Sequence, residues 1–213
     1  MPKPSEKRLA HFRDLVAFDS QFPGFGTSLA GMDEAGRGPL FGNVVTACVI
    51  MPREPLYEWI DDSKKLSAKR REELYAAICE TALYVGVGRA TPEEIDTMNI
   101  LSATKLAMER AAEKAPASLC IVDAVRDLYL PFPIHSIVKG DATSYNVAAA
   151  SIIAKVTRDH EMAAYAEQYP EYGFERNMGY GTAEHIDALR KYGPTPMHRK
   201  TFIGHFIEEG AKQ

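Results

Sequence analysis

The stretch that most restricts the fold is a long helical one, Thr143 to Gln168, whose first part, Val147 to Ala154, is apolar on nearly every side. A helix apolar all round cannot face water, so it must lie deep, with the rest of the chain around it. Its cover is legible elsewhere. Ser118 to Asp123 and Ile134 to Val138 are short apolar runs of the kind buried on both faces of a sheet. Residues 28–34 and 43–51 read as two further strands. The second is β-branched and bounded by Pro39 and Pro52, and the short turn between them predicts antiparallel pairing. Tyr84 to Gly88 alternates as a fifth strand. Ser67 caps a helix running to about Thr81, and Thr91-Pro92-Glu93-Glu94 is a capping box opening another. A helix from about Leu101 to Ala115 ends at Pro116, a glycine- and aromatic-rich loop spans 170–182, and helices start near Ala183 and His198. Three early strands, then helices alternating with two more, predict an α/β domain with a mixed sheet.

Residues 1–27 read as an N-terminal extension. Ser5 to Phe18 forms an amphipathic helix with Leu9, Phe12, Leu15 and Val16 on one face, expected to pack on the domain formed by 28–213. With 46% hydrophobic residues in 213, the core is large enough to need no disulfide or structural metal. Cys48, Cys79 and Cys120 have no zinc-type spacing and read as small buried hydrophobes in a reducing compartment. The N-terminus is polar, and no apolar run approaches the ~20 residues that span a bilayer, so a soluble cytoplasmic protein is expected. A formal charge of −4 does not advertise nucleic-acid binding, although two bound divalent cations would cancel it.

The chemistry concentrates at Gly31-Met32-Asp33-Glu34-Ala35-Gly36-Arg37-Gly38. Two carboxylates end an apolar run, and a glycine turn carrying one arginine follows. Asp123 ends another strand, and Asp141 stands between a strand and the long helix. Sites in open α/β sheets form beyond the carboxyl ends of strands, so these four acids are expected to converge. Taken singly, each could equally be a turn former or a helix N-terminal anion; four such placements together favour function. Without a histidine or cysteine cluster they point to Mg²⁺ or Mn²⁺. Gly36, Arg37 and Gly38 offer backbone N–H groups and a cation to a sugar or phosphate. Lys64 and Lys65 could hold a phosphate or simply be a solvated pair before a helix. Tyr180, between two glycines, could face a sugar or base, or be a turn tyrosine packed on the surface. His198, Arg199 and Lys200 read as an exposed basic cluster with no specific role.

These residues fall in blocks whose pattern closely resembles bacterial ribonuclease HII, the type 2 ribonuclease H family. The blocks are MDEAGRGPLFG at 32–42, DSKKLS at 62–67, NILSATKLAM at 99–108, IVDA at 121–124, KGDATSYNVAAASIIAKVTRDHEM at 139–162, YPEYGFERNMGYGTAEHIDAL at 169–189 and MHRKTF at 197–202. The resemblance covers roughly residues 28–205. It implies a ribonuclease H-like fold with a five-stranded mixed sheet flanked by helices and a helical C-terminal part. It implies that Asp33, Glu34, Asp123 and Asp141 are the metal-binding catalytic acids. It implies that the Gly36-Arg37-Gly38 turn reads the ribose 2′-hydroxyl with help from Tyr180, that Lys64 and Lys65 lie near substrate phosphate, and that Asp159 stands behind the ligands or along the metal's approach. The implied substrates are RNA–DNA hybrids and DNA duplexes containing ribonucleotides. Three positions depart from the family pattern: Ala124 for glycine, Met178 for lysine and Asn43 for proline. They bear on substrate affinity rather than on the carboxylates. Residues 1–27 are too short for the platform domain of type HIII enzymes.

Two other readings fit the acids: another carboxylate-metal nuclease of this fold, such as a junction resolvase or DNA exonuclease, and a non-catalytic nucleic-acid-binding module. The presence of all four acids weighs against the second. The tail from Glu208 to Gln213 is polar with no aromatic anchor, so neither docking to a replication clamp nor another protein partner is expected, and a monomer is.

Overall fold

The computed structural model describes residues 4–123, 125 and 127–210, the last three by backbone alone. Ala124 and the tail side chains from 208 onward therefore lie outside the described residues. Five strands, β1 (Leu29–Ala35), β2 (Val44–Ile50), β3 (Tyr84–Ala90), β4 (Leu119–Asp123) and β5 (Ile134–Ile137), form one sheet in the order β3-β2-β1-β4-β5. β1 pairs antiparallel with β2, and β2 with β3. β4 runs parallel to both β1 and β5, so the sheet is mixed, as expected.

Eight helices accompany it among the described residues: α1 (Glu6–Asp19), α2 (Ala68–Thr81), α3 (Pro92–Met98), α4 (Ile100–Ala112), α5 (Tyr145–Gln168), α6 (Phe174–Asn177), α7 (Ala183–Tyr192) and α8 (Lys200–Gly210). The two-residue period of the strands sorts the core into two layers. Ala47 and Val49 of β2 meet Ala149, Ile152, Ile153 and Val156 of α5, with α2 completing that layer. Cys48 and Ile50, with Ala30 and Met32 of β1, meet Met108 and Ala111 of α4. The apolar first half of α5 is buried from Tyr145 to Ala154, which is why that stretch carries no polar face. Its close approach requires a glycine in β1. A Cβ on Gly31 would lie 2.2 Å from the carbonyl carbon of Asn146.

The N-terminus of α5 is fixed from two directions. Ser144 accepts from the N–H of Val147, and Asp19, at the end of α1 and fully buried, accepts from both the backbone N–H and side-chain amide of Asn146 at 2.8 Å. The side-chain oxygen of Asn146 accepts in turn from the N–H of Met51 at 2.8 Å, which locks helix to sheet. Leu9 and Leu15 of α1 are buried, and Phe12 meets Tyr145 edge-on at 5.9 Å.

Several expectations need correction. β5 is an edge strand with His135 and Ser136 exposed, not a strand buried on both faces, because it has a neighbour on one side only. Cys48 and Cys120 are buried, but Cys79 is exposed, since α2 turns Leu74 and Ile78 inward. The loop at 170–182 contains the single-turn helix α6. The last helix starts at Lys200, in keeping with the expected start near His198, and Asp96 of α3 accepts from the N–H groups of Lys200 and Thr201 at 2.8 and 2.9 Å. No described helix is long and apolar enough to cross a membrane.

Candidate active site

The period of the sheet also places the acids. Met32 pairs with Val122 across the parallel β1–β4 ladder, so the next residues, Asp33 and Asp123, stand side by side at the carboxyl ends of adjacent strands. Both share the parity of Leu29, Gly31 and Ile121, whose side of the sheet faces α5. The chain enters α5 through a single 3₁₀ turn, Gly140–Ala142, which follows Lys139 in the left-handed region (φ 58°) and carries Asp141. Asp141 is thereby delivered to the same end of the sheet.

The acids feel one another. Asp33 is 7% exposed, and burial first, then the charges of Glu34, Asp141 and Asp123, hold its carboxyl well above the usual range. Burial also raises Glu34, against the opposing charge and hydrogen bond of Arg37, whose Nη1 donates to Oε1 at 3.2 Å. Burial raises Asp141, with Asp62 and Asp123 adding to the effect and Lys64 opposing it. Lys64 Nζ stands 3.4 Å from Asp141 Oδ2. Burial pulls its ammonium down, but Asp141, Asp62 and Asp33 together outweigh that and raise it.

This donor set fits a hard divalent cation. It is all carboxylate oxygen, it concentrates negative charge in a low-dielectric corner, and the second oxygen of Glu34 is buried without a hydrogen-bond partner. Among the described residues no three acids, histidines or cysteines close into a metal cage. Mg²⁺ does not need one, since it keeps several waters and takes only one or two carboxylates directly.

The turn that follows β1 lies against the same corner. Gly36 has φ +92°, and a Cβ on it would lie 2.1 Å from Arg158 Nε, so only glycine fits there. A Cβ on Gly38 would lie 3.6 Å from Tyr180 Cε1, which places the tyrosine ring beside the turn, and Tyr180 is half exposed. The two lysines part company. Lys64 reaches Asp141, while Lys65 Nζ turns to Asp61 at 3.1 Å, on the side where Arg8 and His11 also meet that carboxylate. Asp159 faces Lys155 at 2.5 Å and Arg71 at 3.8 Å. Arg71 in turn donates to the carbonyls of Ser63 and Leu66, so Asp159 is tied to the Lys64 loop through an arginine.

The basic cluster at 198–200 was expected to be exposed, and the structure overturns that for two of its three residues. Arg199 is fully buried and donates to the carbonyls of Gly36 (2.7 Å), Arg37 (3.0 Å), Pro39 (2.8 Å) and Gly42 (3.0 and 2.8 Å). Burial, with Arg158 nearby, pulls its guanidinium down to about 9, so it remains charged at neutral pH. Arg158, on α5, is also buried and donates to Phe41, Met178 and Asn43 carbonyls. His198 is buried against His185 with their Nε2 atoms 3.0 Å apart. Its Nδ1 accepts from the N–H of Thr195, so its Nε2 carries the proton and donates to His185, whose Nδ1 donates to the carbonyl of Tyr180. The signal that could have found these residues was their place in the family blocks at 139–162, 169–189 and 197–202. Two of the departures are also placed. Met178 packs its side chain into the apolar cluster around Phe41 and Phe174, and Asn43 donates to Glu161 at 3.1 Å.

The sequence model described as Ribonuclease HII matches residues 30–205. A relative called Ribonuclease HII from Enterococcus faecalis is 50% identical over 92% of this chain and 78% of its own length. Another of that name, from Psychromonas ingrahamii, is 51% identical over 85% of this chain and 89% of its own. Among solved structures, the ribonuclease H2 of Pyrococcus horikoshii OT3 superposes with a TM-score of 0.72 at 29% identity, covering 87% of this chain and 99% of that one.

Proposed function

Since the chain belongs to the ribonuclease HII family, with its ribonuclease H-like fold and its endonucleolytic hydrolysis of RNA in RNA–DNA hybrids, we propose a finer activity for it. It cuts the phosphodiester on the 5′ side of a ribonucleotide, in hybrids and at single ribonucleotides embedded in duplex DNA, leaving a 3′-hydroxyl and a 5′-phosphate. The observation that carries this reading is the placement of Asp33, Glu34, Asp123 and Asp141 at one end of the sheet, directly beside the Gly36–Gly38 turn and the Tyr180 ring.

Asp33, Glu34, Asp123 and Asp141 would hold Mg²⁺ or Mn²⁺, which when bound supplies an activated water and positive charge against the departing oxygen. The chain's own groups do the rest. Arg37 and Lys64 neutralise Glu34 and Asp141 at 3.2 and 3.4 Å, and both are exposed cations that could also reach phosphate oxygens. The glycine turn lets a ribose approach the backbone closely enough to test for a 2′-hydroxyl, the group that separates RNA from DNA. Tyr180 offers its face to the neighbouring sugar. Asp159 acts on Lys64 through Arg71, and Lys65 contributes less than Lys64.

The test is a duplex carrying one ribonucleotide, incubated with Mg²⁺ or Mn²⁺. A single cut 5′ to the ribonucleotide is expected, and Asp123→Asn is expected to bind that duplex without cutting it. Equal cutting of an all-DNA duplex would favour a general nuclease of the same fold, and no metal-dependent cutting at all would favour a binding module.

A further inference from the structure

Between residues 36 and 43 almost every backbone carbonyl ends on one of two buried arginines. The Arg199 guanidinium takes those of Gly36, Arg37, Pro39 and Gly42, its own N–H takes that of Leu40 at 2.9 Å, and Arg158 takes those of Phe41 and Asn43. Neither guanidinium faces a carboxylate within salt-bridge distance among the described pairs, so these carbonyls carry the burden of solvating two buried charges. Loss of such bonds is expensive, which makes the turn stiff. It also fixes its polarity. In a trans peptide the C=O and the following N–H point in opposite directions. With the carbonyls of Gly36 and Arg37 drawn inward to Arg199, the N–H groups of Arg37 and Gly38 are turned away from it. Gly38 lies on the side of the exposed Tyr180 ring.

We infer that Arg199 is the positioning residue that sets ribose selectivity, by holding the Gly36–Gly38 turn so that its N–H groups present a fixed donor pair to the 2′-oxygen. This rests on the reading that the turn senses that oxygen. Arg199 itself is fully buried and touches no substrate.

The experiment compares affinities for a duplex with one ribonucleotide and for the same duplex all in DNA, with Mg²⁺, on the Asp123→Asn background. The parent protein is expected to prefer the ribonucleotide duplex. Arg199→Lys keeps the charge but loses the planar fork, and is expected to lower that preference about tenfold, the worth of one or two misaligned hydrogen bonds, while barely changing affinity for the all-DNA duplex. A purely structural role would lower the melting temperature and weaken both duplexes alike, and an unchanged ratio overturns the proposal. If Arg199→Lys does not fold, Asp96→Ala decides. Asp96 holds the N–H groups of Lys200 and Thr201 and the Thr201 hydroxyl, so its loss loosens the segment that carries Arg199 without substituting the arginine itself. A smaller fall in the same ratio, about threefold, is expected, and no fall overturns the proposal. A parent protein that binds both duplexes equally would sink the recognition reading itself, and the proposal with it.

Discussion

At the scale of single residues, the acids and the glycine turn were legible because their chemistry is local: Asp33 and Glu34 end a strand, and the glycines are next to them in sequence. Arg199 was not, because its burial depends on meeting carbonyls some 160 residues upstream, and no local pattern separates a buried arginine from an exposed one. The Lys64–Lys65 pair was legible as a pair but not as two roles. It follows that Lys64→Ala should raise KM for a hybrid duplex about tenfold, the worth of one charge-assisted phosphate contact, while Lys65→Ala should change it less than twofold. Steady-state kinetics on one substrate would check both, and equal effects would refute the assignment. Gly36→Ala puts a Cβ 2.1 Å from a buried guanidinium at φ +92°, so a loss of about 2 kcal/mol in stability is expected, visible as a lowered melting temperature.

At the scale of elements, strands and capped helices followed from periodicity and cap residues: Ser67 and Thr91 each accept an N–H at the start of the helix they were read to cap. What periodicity could not give was pairing. β5 was read as a buried run like β4, but it pairs on one side only, at the sheet edge, and its central His135 and Ser136 are exposed. The contact between α1 and α5 was likewise invisible, since it rests on Asp19 meeting Asn146 across the fold. Asp19→Ala removes the acceptor for two buried donors and is expected to cost about 2 kcal/mol in chemical denaturation. A change under about 0.5 kcal/mol would show that the Asp19–Asn146 contact adds little to the docking of α1. The histidine pair linking α7 to the segment before α8 gives a pH prediction. Burial first, then His185, lowers His198 from 6.5 to about 3, so between those values the unfolded chain binds a proton that the folded chain refuses. The stability this neutral pair contributes is complete above about pH 6.5 and is lost as pH falls toward 3. The buried acids Asp33, Glu34 and Asp141 are raised and act in the opposite sense. The prediction is therefore a difference: between pH 7.5 and 5, the melting temperature of the parent should fall further than that of His198→Asn.

At the scale of the whole molecule, a formal charge of −4 and an acidic corner disfavour an unaided nucleic-acid complex. Removing divalent cations with EDTA should therefore weaken binding of a hybrid duplex itself, and not only its cleavage, by about tenfold in fluorescence anisotropy at low salt. Unchanged affinity would mean that the acids do not face the phosphate backbone. The α/β class was legible from the order of strands and helices, but not the parallel β1–β4 pairing that sets Asp33 beside Asp123, because such pairings are decided by long-range closure. The brace formed by Arg199 has a consequence in time. A chain growing from its N-terminus has all four acids once Asp141 is made, but its Gly36–Gly38 turn is tied only when the segment just before the last helix arrives. On the proposed reading, the groups that would hold the metal are thus synthesised before the one that would steady the choice of substrate.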